Sequence, residues 1–365
     1  MIPRLLTELR FPRSPVALLI GLALSLVSLP GPAAADDAGP VIEEIVVTAE
    51  FRASSVNRTP VSVSVVELGD LKGRAVEHLE DVLAQVPNVN FAGGSSRARF
   101  YQIRGIGERG QFDEPLNASV GLLIDGVDFS GIGTAAVLHD VSQVEVLRGP
   151  QGTIYGANAL AGLMSIRTNA PTQAFEGGLT LDAGNYDALG LGATVSGPIG
   201  DSLGGRLAVR KYQDDGFYRN TFLDVTDTND RDELSVRGRL DWSATERLDL
   251  GLSLGHLDIQ NGYDAFSLDN NRRTRSDEPG QDAQKSTYGA LTANWQINDA
   301  VILEGSLGHA DSEIDYGYDE DWTFVGFHPF EYSSTDRYER DRSTTTLDLR
   351  LLSGEAGRLF GDTTS

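Results

Sequence analysis

Residues Leu248–Gly255 read LDLGLSLG, with leucines at 248, 250, 252 and 254 alternating with Asp249, Gly251, Ser253 and Gly255. Successive side chains of a strand point to opposite faces, so this stretch is a ribbon with one apolar face and one small or charged face. The same pattern runs outward in both directions. Leu234, Val236, Leu240 and Trp242 alternate with Ser235, Arg237, Arg239 and Asp241. Leu291, Ala293, Trp295 and Ile297 oppose Tyr288, Thr292, Asn294 and Gln296, and Leu347, Leu349 and Leu351 oppose Asp348 and Arg350. Period two fits any half-buried sheet; the connections discriminate. Ser243–Glu246 and Ile297–Ala300 read as tight turns, whereas Asn220–Asp232, Gln260–Lys285 and Glu313–Arg342 read as long polar loops. Short turns on one rim and long loops on the other describe an outer-membrane barrel. A soluble sandwich rarely carries several loops longer than ~15 residues. Arg237, Arg239, Asp241 and Asp249 would then face a wet lumen, and about eight strands are expected between Leu179 and Leu351.

Composition narrows the rest. The 365-residue chain has 53 acidic and 30 basic residues, a net charge of −23, 41 glycines and no cysteine. Disulfide scaffolds, thiolate metal sites and cysteine nucleophiles are excluded. The acidity argues against a nucleic-acid partner, whose phosphates demand Lys and Arg. Arg4, Arg10 and Arg13, the apolar run Val16–Leu29 and Ala33-Ala34-Ala35 have the layout of a secretory signal peptide over residues 1–35. That run is too short for a bilayer span, which takes about 20 apolar residues. The exported chain is therefore expected to re-enter a membrane only as strands.

Residues 36–58 carry the short β-prone stretch Ile42–Ala49, with no strand nearby to pair with it, so it reads as a tethered peptide. Residues 59–172 read as a mixed α/β domain. Val61–Val66, Phe100–Arg104, Val120–Ile124, Val141–Leu147 and Leu163–Thr168 are expected strands, with Asp125-Gly126 as a turn. Val76, Leu79, Val82, Leu83 and Val86 fall at helical spacing over Ala75–Val86, and Pro87 stops them. Residues 173–365 hold the alternating strands. A barrel closed by eight or nine strands is just wide enough for side chains, too narrow to hold the preceding domain. The stretch is therefore expected to be part of a larger barrel, and the chain to be the N-terminal part of a longer protein.

Taken together, the motifs resemble those of the TonB-dependent outer-membrane receptors. Glu44-Ile-Val-Val-Thr-Ala49 resembles the TonB box, and Leu79–Asn90 (LEDVLAQVPNVN) the first helix of the plug. Phe100–Gly107 (FYQIRGIG) resembles the IRG strand and Leu122–Val127 (LLIDGV) the DG hairpin. Val144–Gly156 (VEVLRGPQGTIYG) is the most specific match; Ala161–Thr168 (AGLMSIRT) departs slightly, with Leu163 and Met164 bulkier than the family pattern. The resemblance implies an α+β plug domain followed by antiparallel transmembrane β-barrel strands, here about eight of the roughly 22 of such plugged transporters. It also implies active import of a scarce cargo, most often a ferric siderophore, across the outer membrane of a Gram-negative bacterium. The partners would be TonB with its inner-membrane energising complex, and outer-membrane lipid.

Site residues follow from the same resemblance. Glu44, Ile45, Val46, Val47, Thr48 and Ala49 would add a strand to TonB, since an extended peptide gains main-chain hydrogen bonds at a sheet edge; the plain alternative is a disordered tail. Arg104, Glu145 and Arg148 are the expected plug–barrel contacts, against the plainer reading of Arg104 and Arg148 as surface charges. Gly105-Ile-Gly-Glu-Arg-Gly110 matches a dinucleotide fingerprint, yet no helix follows to receive a pyrophosphate. Its glycines read instead as a loop on the plug's outer face, where Arg97, Arg99, Arg109 and Gln111 are candidate cargo contacts. Asp311–Asp321 is acid-rich, but without EF-hand spacing it reads as a solvated outer loop rather than a calcium site. The five histidines are scattered and no Ser/His/Asp constellation stands out, so neither a cofactor nor catalysis is expected. Two rivals stand beside the importer: an exported β-rich binding or adhesive protein, and a truncated receptor fragment that does not transport.

Overall fold

The computed structural model describes residues 46–47, 54–55, 61–71, 74, 76–92, 94–110, 117–330 and 333–354. The expected signal peptide, Glu44, Ile45, Thr48 and Ala49 of the box, and Gln111 lie outside them. Val46–Val47 (β1) pairs antiparallel with Ser54–Ser55 (β2), so the tether has a strand partner that its sequence did not suggest.

The next elements are β3 (Ser62–Glu67), β4 (Val89–Ala92), β5 (Phe100–Ile103), β6 (Val120–Ile124), β7 (Val127–Asp128), β8 (Val141–Arg148) and β9 (Gly162–Thr168). Five of them form a mixed sheet in the order β3-β8-β9-β6-β7, with β6 and β9 parallel, while β4 and β5 pair separately. Leu122, Ile124, Val144, Val146, Met164 and Ile166 are buried at its centre, each contributing roughly 1.5–3 kcal/mol of transfer free energy. Asp125 and Gly126 both take positive φ, +48° and +84°, as a two-residue hairpin turn demands. The Asp125 carboxylate also accepts from Thr168 N at 3.0 Å and Thr168 Oγ1 at 2.8 Å, tying the turn to the end of β9.

The helix expected over Ala75–Val86 shrinks to one turn, Glu80–Leu83. His78 is drawn into a bridge with Val137, and Leu79 N donates to Ala136 O. The chain cannot be both extended there and helical. Asp81 closes the start of the turn by accepting from Glu77 N and His78 N, each at 2.9 Å. Leu79, Val82, Leu83 and Val86 are still buried, so the apolar spacing was right about the core and wrong about helix length.

The wall follows: β10 (Glu176–Ala183), β11 (Leu189–Pro198), β12 (Leu203–Asp214), β13 (Arg219–Asn220), β14 (Arg231–Thr245), β15 (Leu248–Tyr263), β16 (Arg273–Thr274), β17 (Gly280–Asn298), β18 (Val301–Asp319) and β19 (Thr335–Ser353). Eight of these make one antiparallel sheet in chain order, β13 and β16 instead pairing with each other between two outer loops. Register explains the leucines. Leu240, Leu252, Leu291, Leu307 and Leu347 lie directly opposite one another across five strands, a continuous apolar row. Toward the short turns the same face carries Trp242 and Trp295; toward the long loops it becomes His256, Thr287, Asp311 and Ser343, again in register. An apolar band between aromatic and polar borders is the exterior of a membrane barrel.

Two of the three long loops are shorter than their sequence suggests, and the first begins earlier, after Asp214. Residues 260–263, 280–285, 313–319 and 335–342 are strand, leaving connections at 215–230, 264–279 and 320–334. β17, β18 and β19 reach 19 residues, against the roughly 9–11 that a bilayer crossing takes, so the sheet stands well clear of the band. Most of the acidic run Asp311–Asp321 is therefore β18, with Asp315 paired to Arg337 at 2.7 Å, rather than a loop.

Candidate functional site

The inner face of the wall holds the plug through two sets of charges of opposite sense. Toward the long loops, the plug supplies the cations. The segment after β4 carries Arg97 and Arg99, buried to 2% exposure each. Arg97 Nε and Nη2 donate to the two carboxylate oxygens of Glu233 at 2.7 and 2.9 Å, and Glu80 stands 3.5 Å away. Burial alone would lower the pKa of Arg97, but the Glu233 and Glu80 carboxylates hold it well above its usual value. Arg99 pairs with Asp282, which also accepts from Ser96 N and Ser96 Oγ at 2.8 Å.

Lower down, the wall supplies the cations. Arg206 donates to Asp140 at 2.9 and 3.1 Å, and Arg210 to Glu77 at 2.9 Å. Arg237 Nη2 donates to Val137 O at 2.7 Å, and Arg342 to Ser130 O at 2.6 Å and Asp128 at 3.2 Å. Between these contacts Leu257, Ile259, Tyr288, Ala290, Ala310 and Ile314, all on the wall, join the apolar core of the plug. One inward position below Ala290, at Thr292, the contact ends. A chamber of ≈810 Å³ opens there, lined by Arg167, Arg239, Asp249, Thr292, Glu304 and Asp348 among others.

This arrangement reassigns the residues read from sequence. Arg97 and Arg99, expected to touch cargo, are paired with the wall carboxylates Glu233 and Asp282. Arg148 instead braces the plug internally, donating to Ser62 Oγ at 3.1 Å, Ser64 Oγ at 2.8 Å and Pro87 O at 3.3 Å. Partial burial and the neighbouring Arg104 both push its pKa down. Arg104 occupies a left-handed turn position, φ +54°, and is exposed. Glu145 is buried and accepts from Gln143 at 2.6 Å within the plug. Arg109 is exposed. Gly107 passes so close to Tyr101 O that a Cβ has no room, which accounts for a glycine of the G-x-G-x-x-G match by packing.

Missed in the sequence were Glu233, Asp282, Arg206, Arg210 and Arg342; their signal was a charge at inward parity on a strand. Also unforeseen was an aromatic cluster of Tyr263, Phe266, Tyr316, Tyr318 and Trp322 above the Arg99 contact, with Phe266 and Trp322 stacked at 4.9 Å. Among the described residues no group of three His, Asp or Glu side chains is placed to hold a metal ion.

His139 lies in the lower contact. Burial, then the adjacent Arg237, brings its imidazole down to about 4 from 6.5. It is neutral when docked, while the unfolded chain takes up a proton below about 6.5. Docking stability is therefore complete above pH 6.5 and is lost as pH falls toward 4, by roughly 3 kcal/mol at most. Buried His78 is shifted the same way, so the contribution of His139 is a difference measurement. Unfolding midpoints of wild type and His139→Gln should differ little near pH 7 and separate as pH falls toward 4, wild type becoming the less stable; parallel curves would reject the assignment.

Plug, docking contacts and banded wall together define part of a membrane β-barrel corked by a folded domain. Residues 55–163 match the family model of the TonB-dependent receptor plug domain. The chain is 31% identical over 213 residues to an iron-regulated outer membrane virulence protein of Vibrio cholerae, covering 53% of this chain and 31% of that one. It is 32% identical over 198 residues to the pesticin receptor of Yersinia pestis, covering 53% and 29%. The crystal structure of the ferric yersiniabactin uptake receptor of Yersinia pestis superposes with a TM-score of 0.65 at 21% identity, over 82% of this chain and 46% of that one. The chain therefore carries a plug domain of the TonB-dependent receptors and is similar to those receptors beyond it, and its matches span about a third of those curated relatives and under half of the solved receptor.

Proposed function

We propose that the chain is the ligand-gated part of an energised importer in the outer membrane of a Gram-negative bacterium, exported by residues 1–35 and carrying a ferric siderophore or similar iron complex inward. The observation that carries this is the docking pattern. A folded domain is held in the lumen by discrete, buried charge pairs and joined to a short strand-forming tether, so a pull on the tether can unseat it without dissolving the wall. Iron as cargo rests on the relatives: one is iron-regulated and one takes up ferric yersiniabactin. Residues 44–49 recruit TonB by strand addition, and the inner-membrane complex supplies the pull. Arg109 and Gln111 are proposed cargo contacts at the outer face of the plug.

Accumulation of a radiolabelled ferric chelate in iron-starved cells tests this. Uptake should depend on the chain and stop when an uncoupler collapses the proton gradient, while surface binding persists. Accumulation indifferent to the uncoupler would refute the importer.

A further inference from the structure

Long connections are ordinarily the mobile part of a domain, yet 215–230, 264–279 and 320–330 are fastened to one another. Asp264, 5% exposed, opens the second of them. Its Oδ2 accepts from Asn220 Nδ2 at 2.9 Å and Thr228 Oγ1 at 2.8 Å, both of the first connection, and from Thr274 Oγ1 of its own at 2.7 Å. Asn220 and Thr274 are fully buried. Asn220 passes the restraint on: its Nδ2 also donates to Ser276 O at 2.8 Å, and its Oδ1 accepts from Phe222 N at 3.0 Å and Leu223 N at 2.9 Å. Around this knot β13 and β16 pair in parallel, and Thr221 N donates to Thr274 O at 3.0 Å.

The third connection is tied to the other two. Asp277 N donates to Thr323 O at 2.9 Å, and Asp277 Oδ2 accepts from Val325 N at 3.1 Å. Phe222 of the first stacks on Phe324 of the third at 4.4 Å, and Phe266 of the second on Trp322 at 4.9 Å. Trp322 itself takes φ +63°, uncommon for a bulky residue, and Asp319 holds it there by accepting from Trp322 N at 3.1 Å. Such a backbone persists where its surroundings over-determine it, and these places cluster at ligand clamps and switch regions. A carboxylate is costly to bury unless hydrogen bonds satisfy it. Here the three donors are neutral and all belong to the outer connections, so their junction is what the burial of Asp264 achieves.

We propose that Asp264 is a positioning residue for cargo recognition. Through Asn220, Thr228 and Thr274 it locks the three connections into one preassembled body, so that the aromatic cluster of Tyr263, Phe266, Tyr316, Tyr318 and Trp322 meets cargo already in place. This rests on the importer reading. It adds that these connections neither part nor fold inward when cargo arrives: capture is by fit to a standing surface, which spares the ordering of loops and side chains that binding otherwise costs.

Amide exchange and import test it. In the receptor purified in detergent, Asp264→Ala should speed exchange roughly tenfold over 219–225, 273–277 and 323–327 alike, the size expected when buried donors lose an acceptor. Asp264→Asn keeps an acceptor oxygen there and should stay near wild type. The third segment decides, because none of the three bonds of Asp264 reaches it: acceleration confined to the first two, or none at all, would overturn the proposal. Import is followed with radiolabelled iron, supplied with the chelator that the iron-starved cells secrete. In Asp264→Ala the half-saturating concentration should rise roughly tenfold while maximal import holds, since plug and tether are untouched; a fall in maximal import alone would overturn it. The chain lacks cysteine, and Arg219 and Arg273 are exposed partners across β13 and β16, at a spacing a disulfide can bridge. Oxidising Arg219→Cys with Arg273→Cys should leave import unchanged and, added to Asp264→Ala, restore the lost affinity. Import that oxidation stops and reductant recovers would overturn the preassembled body. Uncoupler-insensitive uptake would sink the importer and leave the exchange result standing; uncoupler-sensitive uptake that the disulfide abolishes sinks only this inference.

Discussion

Glu233→Ala should unseat the plug. Glu233 is 5% exposed and Arg97 2%, and the carboxylate takes two bonds from Arg97 and a third from Asn261 at 3.0 Å. Removing it leaves a guanidinium buried in a site that cannot hydrate it, and breaking a buried pair from one side typically costs ~3–5 kcal/mol. Glu80, 3.5 Å from Arg97 on the other side, absorbs part of that charge, which places the expected loss near the lower figure. Deleting both partners with apolar residues of similar size, Arg97→Met with Glu233→Leu, should recover much of it, because the buried guanidinium goes with its partner and Glu80, 16% exposed, keeps its bond from Ala98 N. Limited proteolysis of the purified receptor provides the readout: the plug of Glu233→Ala should be cut while the wall stays intact, and the double variant should resist. Equal resistance of the single variant and wild type would show that the pair does not hold the plug.

The legible and illegible parts of this chain divide along a physical line. Inside the band, one face of each strand must be apolar and the other wet, so period two is enforced and Leu248–Gly255 could be read directly. Above the band both faces are polar: Asp258 and Gln260 look outward while Asn261 looks inward, and β18 carries Glu313 and Asp315 on one face with Tyr316 on the other. Nothing there distinguishes strand from loop, so the strand ends at 260–263, 280–285 and 313–319 read as loops. The docking charges were half legible. Inward parity marked Arg237 and Arg239 as lumen-facing, but a partner 98 residues away, His139, leaves no trace in spacing. The same holds for the bridge at His78. Its partner Val137 is brought there by the tertiary fold, and it overrides a helical pattern that local propensity supports. Arg97 and Arg99 read as cargo contacts because a basic pair flanked by glycine and serine looks the same whether it meets cargo or a buried carboxylate; their carboxylate partners Glu233 and Asp282 lie on other strands.

The largest functional effect is expected from Val47→Pro. In the structure Val47 pairs with Ser54 and Val46 with Ser55, so the tether already takes up the extended backbone that a partner's sheet edge requires. Strand addition relies on main-chain N–H and C=O groups and asks little of the side chains. Proline removes one donor and is tolerated in strands chiefly at edges, so the exchange strikes the interaction at its only indispensable component. Energised uptake should fall to the level seen with an uncoupler, while cargo binding should stay as in wild type because no docking contact described above involves the tether. Val47→Ala keeps the N–H and should transport, which separates a lost hydrogen bond from a lost side chain. If the proline variant imports normally, residues 44–49 are not the coupling strand, and the pull on the plug must be applied elsewhere.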